Sequence, residues 1–89
     1  MKELKAIYLI TDESVLVDSD WTAECEEKVT TVATSTWEGQ TLTLSSAALT
    51  GNKATVIVQP ATCGEYVLTN TATLANGEIV KSVREVIVQ

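Results

Sequence analysis

Residues 65–88 read EYVLTNTATLANGEIVKSVREVIV, and this stretch decides the fold. Two runs rich in threonine and valine lie on either side of the pair Asn76-Gly77. An Asn-Gly pair between two such runs predicts a β-hairpin, because both central residues of a type I′ turn need positive φ. The runs Glu65 to Leu74 and Ile79 to Val88 are therefore predicted to be antiparallel neighbours.

Alternating side chains in this hairpin predict which face is buried. In the first strand the inward face takes every second residue: Tyr66, Leu68, Asn70, Ala72 and Leu74. An inward Asn70 must find partners in the backbone, since an unpaired buried polar group costs about 1–3 kcal/mol. In the second strand Val83, Val86 and Val88 do not alternate regularly, which predicts a β-bulge near Arg84-Glu85.

Turn residues divide the rest of the chain into short strand-like runs. Thr50-Gly51-Asn52-Lys53 and Trp37-Glu38-Gly39-Gln40 are predicted turns. The predicted strands outside the hairpin are Ile7 to Ile10, Val15 to Val17, Lys28 to Trp37, Thr41 to Ser45 and Ala54 to Gln59. The short patch Ala23 to Lys28 is the only helix-prone segment, and its length favours a turn or a strand edge. About seven short strands separated by turns predict one all-β domain over residues 1–89, an antiparallel sandwich or a small barrel.

Composition supports strands and narrows the function. The chain has fourteen threonines and eleven valines, residue types that suit pleated, half-buried strands. Twelve acidic and six basic side chains give a net charge of -6, which disfavours nucleic acid and acidic membranes as partners. The chain has no histidine and so lacks the usual proton shuttle, the commonest metal ligand and the base of a Ser-His or Cys-His pair. We therefore expect no enzymatic activity and no cofactor.

The N-terminal region bears on compartment and on the cysteines. The apolar run Ala6 to Ile10 is shorter than the roughly 7–15 residues of a signal peptide or the roughly 20 of a membrane span. Synthesis in a cytoplasm is expected, where Cys25 and Cys63 stay free rather than paired. Residues 1–12 are interpreted as an N-terminal arm or an extra strand, and Lys2 to Ile10 as a segment able to add a strand to a neighbour.

The aromatic side chains are interpreted mainly as structural. Tyr66 follows Gly64-Glu65 at the start of a strand, the position of a tyrosine corner in which the phenol bonds back to upstream backbone. Trp37, at the end of a strand, is expected in the core or at its margin. For Trp21 two roles stay open, covering the end of the sandwich or anchoring a partner.

The acidic side chains are interpreted as a solvated edge that discourages aggregation between strands. They are Asp12, Glu13, Asp18, Asp20, Glu24, Glu26 and Glu27. A glycosidase cleft needs more aromatic material than this chain has, and a calcium site at Asp18 and Asp20 lacks the usual ligand spacing. The Ser45-Ser46 pair and Cys63 have no base beside them. No residue is therefore assigned to a catalytic, metal, cofactor or partner site.

Four motifs together resemble a family of small phage and prophage proteins described as fiber-tail adaptor or tail-associated proteins. The matching positions are Asp20-Trp21, Ser35-Thr36-Trp37, Tyr66 with Thr69-Asn70, and Gly77. The resemblance covers about residues 12–89, and its motifs belong to the scaffold rather than to a catalytic site.

This resemblance implies an immunoglobulin-like β-sandwich that serves as a virion component at the tail or the head–tail junction. Its expected partners are other virion proteins, with a ring of identical copies as one arrangement. The alternative is an immunoglobulin-like surface or adhesin-type module that recognises a glycan or a host protein. An oxidised Cys25–Cys63 pair would favour that alternative, since disulfides belong to oxidising compartments.

Overall fold

The computed structural model describes residues 2–39 and 42–89, without the side chains of residues 2 and 3. Its elements, in chain order, are β1 (Lys2–Leu9), β2 (Val15–Asp20), α1 (Thr22–Lys28), β3 (Val32–Glu38), β4 (Thr43–Thr50), β5 (Lys53–Gln59), β6 (Gly64–Leu74) and β7 (Ile79–Val88).

The strands form two sheets that pack face to face. One sheet has the order β1-β7-β6-β3 and the other the order β2-β5-β4. One sheet contains β2, β4 and β5, and the opposite sheet contains β3, β6 and β7. This distribution of strands is the one found in an immunoglobulin-like sandwich. The predicted all-β sandwich is confirmed. One pairing departs from the antiparallel prediction, because β1 runs parallel to β7. Residues Lys2–Leu9 of the predicted arm thus form an edge strand of the chain's own sheet.

The hairpin at residues 65–88 is confirmed, but the predicted type I′ turn is wrong. β6 and β7 pair without interruption from Gly64↔Val88 to Thr73↔Ile79. The Leu74 N–H donates to the Glu78 carbonyl at 2.8 Å, and the Gly77 N–H donates to the Leu74 carbonyl at 2.9 Å. Positive φ occurs at Gly77 (94°) and not at Asn76. This pattern is a three-residue loop that ends in a glycine bulge, in place of a type I′ turn.

The predicted β-bulge near Arg84-Glu85 is also wrong. The register of β6 on β7 is continuous there, and the irregularity lies in β1, between Leu4 and Ile7. The valines of β7 do not alternate because polar Ser82 and Arg84 occupy inward positions of the strand. Ser82 is almost fully buried. The prediction of a bulge assumed that every inward position of the strand is apolar.

The patch at residues 23–28, predicted as a turn or a strand edge, is the helix α1. Trp21, just before the helix, and Cys25, one turn later, are both buried with 1% of their surface exposed. The Cys25 N–H donates to the Trp21 carbonyl at 2.9 Å. Burial of these two side chains stabilises a helix too short to persist alone. As a result β3 begins at Val32 and not at Lys28.

Strand and turn boundaries elsewhere differ by a few residues. β4 extends to Thr50 instead of Ser45, and its register shifts between Ser45 and Ala48, where Ser46 has a φ of 52°. The predicted turn at Gly51-Asn52 is confirmed, with Gly51 at φ 60°. In the predicted turn at residues 37–40, Trp37 and Glu38 still belong to β3, and Gln40 lies outside the described residues.

The core consists of two apolar clusters between the sheets. The larger comprises Leu9, Val17, Leu42, Val56, Val58, Leu68, Val86 and Val88. The smaller comprises Trp21, Cys25, Val32, Ala72 and Leu74. The predicted inward face of β6 is confirmed, and along it Asn70 separates Leu68 of the larger cluster from Ala72 of the smaller one. A polar layer therefore crosses the middle of the sandwich.

Candidate functional site

The buried polar side chains bond to one another across the sandwich. Ser19 on β2 and Ser82 on β7 share a hydrogen bond of 2.8 Å between their hydroxyl oxygens, with 3% and 2% of their surface exposed. A guanidinium N–H of Arg84 donates to the Asp18 carbonyl at 3.4 Å. These contacts join the two sheets, so these side chains have structural partners inside the fold.

Asn70 occupies the centre of the polar layer and is fully buried. Its amide donates to the Thr36 carbonyl at 3.0 Å, and its carbonyl oxygen accepts from the Trp21 indole at 2.8 Å. The predicted need for partners is confirmed, with one partner from the backbone and one from a side chain. For Trp21, the role of covering the sandwich end is confirmed and that of a partner anchor is wrong, because only 1% of its surface is exposed.

The tyrosine corner at Tyr66 is confirmed. Its hydroxyl donates to the Thr62 carbonyl at 2.9 Å and lies 2.7 Å from the Thr62 hydroxyl. Trp37 is half-buried and packs against the larger apolar cluster, as predicted. Both side chains therefore stabilise the fold.

The two carboxylates weighed as calcium ligands have other partners. Asp18 forms an ion pair with Lys53 at 3.1 Å, and Asp20 accepts from the Thr22 N–H at 3.0 Å and the Thr22 hydroxyl at 2.6 Å. Within the described residues, no three side chains of the types His, Cys, Asp or Glu come together as metal ligands.

The cysteines lie at opposite ends of β6 and are both free. Cys25 packs in the cluster that contains Leu74 at the end of β6, whereas Cys63 immediately precedes the strand and is exposed. The ten residue steps of β6 span roughly 33 Å at about 3.3 Å per residue, and a disulfide needs Cα atoms within about 7 Å. Burial raises the pKa of the Cys25 thiol, and the neighbouring Glu24 carboxylate raises it further.

One end of the sandwich gathers α1, the turn between β4 and β5, and the turn between β6 and β7. Asn52 fixes the first two to each other: its carbonyl accepts from the Trp21 N–H at 2.8 Å, and its side-chain oxygen accepts from the Val32 N–H at 3.0 Å. We call this region the helix end, defined as residues 21–32, 51–52 and 75–79.

Two contacts fix the β6–β7 turn to the rest of the helix end. Lys28 and Glu78 form an ion pair at 2.6 Å, and the Ala75 N–H donates to the Thr31 carbonyl at 2.8 Å. The hydrogen bond to Glu78 raises the pKa of Lys28, and so does the negative charge of Glu78. The helix end is thus cross-linked by hydrogen bonds and one ion pair.

Two large apolar side chains are exposed beside that ion pair. Val29, next to Lys28, is 91% exposed, and Ile79, next to Glu78, is 65% exposed. Val29 also has a φ of 52°, in the left-handed region that a β-branched residue rarely adopts. Exposed apolar area held at a fixed position is a candidate contact surface.

A groove on the outer face of the β1-β7-β6 sheet is a second candidate. Its volume is about 510 Å³, and it is lined by Leu4, Ala6, Glu65, Tyr66, Val67, Val83 and Glu85. It adjoins the irregularity of β1 between Leu4 and Ile7. The groove combines apolar side chains with two carboxylates.

The sequence did not predict either surface. The sequence pattern predicts Val29 within a strand and Ile79 as the first residue of the last strand. The exposure of Val29 follows from the end of α1, which the sequence pattern does not predict, whereas Ile79 is exposed because it occupies an outward position of β7. The groove adjoins the irregularity in β1, which no residue pattern marks.

No protein-family model matches the chain, and no curated protein matches it either. The helix found in the described residues has seven residues, far too few to cross a lipid bilayer.

Proposed function

We propose that this chain is a structural protein of a phage or prophage particle that acts through contacts with neighbouring virion proteins at the tail or head–tail junction, without catalysis. The sequence resemblance over residues 12–89 supports this proposal. The immunoglobulin-like arrangement of the two sheets is the fold that the resemblance implies.

One structural observation carries the proposal: large apolar side chains are exposed on several surfaces of a domain that already has a closed core. In the described part of the chain they are Tyr8, Ile10, Leu16, Val29, Val67 and Ile79. Burying one such side chain fully in a contact contributes about 1.5–3 kcal/mol. Exposed apolar residues on several surfaces suit a subunit that touches several neighbours.

The open sheet edges support the same reading. The strands β1 and β3 are the edges of one sheet, and β2 and β4 are the edges of the other. Edge strands present unpaired backbone groups that a neighbour can extend. A ring of copies would join two different surfaces of the chain, as heterologous contacts require.

The test is quantitative mass spectrometry of density-purified particles from an induced lysogen that carries the gene. The expected result is that the polypeptide is present in a fixed ratio to the other tail proteins, and that a deletion strain yields particles with an incomplete tail. A protein found on the cell envelope and absent from particles would contradict the proposal and favour the adhesin-type alternative.

A further inference from the structure

We propose that Val29 and Ile79, with the acidic side chains of α1, dock a virion neighbour that presents an apolar pocket with a basic rim. This inference rests on the proposed function, because it takes the partner to be another virion protein. It names the surface and the chemistry of the partner, which the resemblance leaves open.

The first argument is the conformation of Val29. The Val29 N–H donates to the Glu26 carbonyl at 3.3 Å, and the Thr30 N–H donates to the Cys25 carbonyl at 2.9 Å. These two bonds form a Schellman motif at the end of α1, with Val29 at the left-handed position where glycine is the usual residue. A glycine would complete this cap with less strain.

Packing of the Val29 side chain does not offset this backbone strain, because 91% of its surface is exposed. Strain of this kind is typical of functional positions. We therefore infer that the Val29 side chain contacts a binding partner.

The second argument is the position of Ile79. It is 65% exposed and follows Glu78, which forms the ion pair with Lys28 at 2.6 Å. Because Val29 follows Lys28, the ion pair brings the two apolar residues to the same end of the sandwich. Together with the hydrogen bond from Ala75 to Thr31, it holds this surface in place before a partner binds. Such preorganisation reduces the entropy lost on binding.

The third argument is charge, which selects the partner. Glu26 and Glu27 are exposed on α1, and the one cation of the helix, Lys28, is already paired with Glu78. The surface around Val29 is therefore negative. A second copy facing it with the same surface would bring like charges together, whereas a basic rim complements it.

The first experiment maps peptide binding on the isolated, ¹⁵N-labelled chain by NMR. The probes are two synthetic twelve-residue helical peptides. One peptide consists of leucine and lysine, and the other consists of leucine and glutamate. The expected result is that the lysine peptide shifts the amide signals of residues 29–31 and 75–79, and that the glutamate peptide does not. Shifts confined to the groove near Glu65 and Glu85, or no shifts at all, would overturn the proposal.

The variant Val29→Gly separates function from stability. It is expected to raise the melting temperature, because glycine suits the left-handed cap, and to weaken binding of the lysine peptide at least about fivefold. Ile79→Ser is expected to weaken binding by a similar factor. Leu16→Ser is the matched control, because Leu16 is 66% exposed on β2 and outside the helix end, and it should leave binding unchanged. Unchanged binding in the Val29 variant would reject a role for this side chain.

The second experiment places a photoreactive benzophenone amino acid at position 29, or at position 62 beyond the opposite end of β6, in assembled particles. A cross-link from position 29 to a virion protein, through a peptide containing lysine or arginine, supports the proposal. If the chain is in particles and position 29 gives no cross-link, this surface is rejected and the proposed function stands. If the chain is absent from particles, the proposed function fails and the peptide titration alone decides on the surface.

Discussion

Asn70 shows how one residue can connect three parts of a small domain. Its side chain on β6 bonds to the backbone of β3 and to the indole of Trp21, which covers the helix end. Asn70 and Trp21 are both fully buried, so water cannot readily replace the amide in its bond to the indole. A buried polar group with both of its bonds satisfied specifies one packing of the core.

Replacing Asn70 with leucine is expected to lower the free energy of unfolding by about 1–3 kcal/mol, because the Trp21 indole N–H and the Thr36 carbonyl lose their partner. Urea denaturation measures this change. The control is Thr71→Val, on the outward face of the same strand, which should change stability by less than about 0.5 kcal/mol. Equal effects of the two substitutions would show that the buried amide has no special role.

The hydroxyl of Tyr66 is a second residue with a defined contribution. Tyr66→Phe removes both contacts with Thr62 and is expected to cost about 1 kcal/mol of stability. The matched control is Tyr8→Phe, since Tyr8 is 66% exposed on β1. If thermal denaturation gives the same small change for both variants, the tyrosine corner does not stabilise this domain.

Among the elements, β1 has the clearest testable contribution. It covers the edge of β7, and its Leu9 is only 4% exposed in the larger apolar cluster. Deleting residues 1–10 should lower the urea midpoint and promote self-association, because the backbone edge of β7 becomes available for pairing. Light scattering coupled to size exclusion measures the association. A deletion variant that remains monomeric with the parental midpoint would contradict this.

The helix α1 gives the chain a pH-dependent component of stability. Because burial raises the pKa of Cys25 in the folded state, the unfolded thiol ionises first, at about pH 8.5. Stability should therefore fall as the pH rises above that value, by at most about 1.4 kcal/mol per pH unit. The hydrogen bond to Glu78 also raises the pKa of Lys28, so the stability it contributes is lost in the same direction, but around the ordinary lysine pKa of about 10.4, above most of this range.

Urea denaturation between pH 8 and pH 10, in a Cys63→Ala background, tests this expectation. The additional substitution Cys25→Ala should make the slope of stability against pH shallower. Equal slopes in the two proteins would exclude Cys25 as the source. In the parent protein, a thiol reagent provides a second readout, since Cys63 should react in the native state and Cys25 only after unfolding.

For the whole molecule, the net charge of -6 is the dominant electrostatic feature. Raising the salt concentration from about 20 mM to 500 mM should raise the melting temperature, because screening weakens the repulsion among the acidic side chains. Differential scanning calorimetry measures the shift. A lower melting temperature in high salt would mean that ion pairs such as Lys28–Glu78 and Lys53–Asp18 outweigh this repulsion.

The sequence predicted the parts of this molecule that local patterns determine. The hairpin, the inward face of β6 and the tyrosine corner at Tyr66 follow from turn residues and alternation. Local sequence does not predict the helix α1, because its stability comes from burial of Trp21 and Cys25, which is a tertiary effect. The bulge was misplaced because Ser82 and Arg84 point inward, and their partners on β2 are more than 60 residues away in sequence.

The candidate docking surface was beyond prediction for a related reason. Val29 and Ile79 are fifty residues apart in the sequence, and their segments are joined by the Lys28–Glu78 ion pair and by the hydrogen bond from Ala75 to Thr31. The left-handed conformation of Val29 depends on where α1 ends, and no local pattern signals that a valine replaces glycine at the cap. Surface sites built from distant segments are set by topology.

The parallel pairing of β1 with β7 also determines how the domain bears mechanical load. The pairing runs from Lys2↔Ser82 to Leu9↔Val88, so the first residues of β1 and the last residues of β7 lie at opposite ends of the pair. Tension applied between those two points acts along the strands and shears the backbone hydrogen bonds together, instead of peeling them apart one after another. A subunit stretched between two neighbours would thus yield only when the whole interstrand ladder slides, at a force governed by the unfolding barrier.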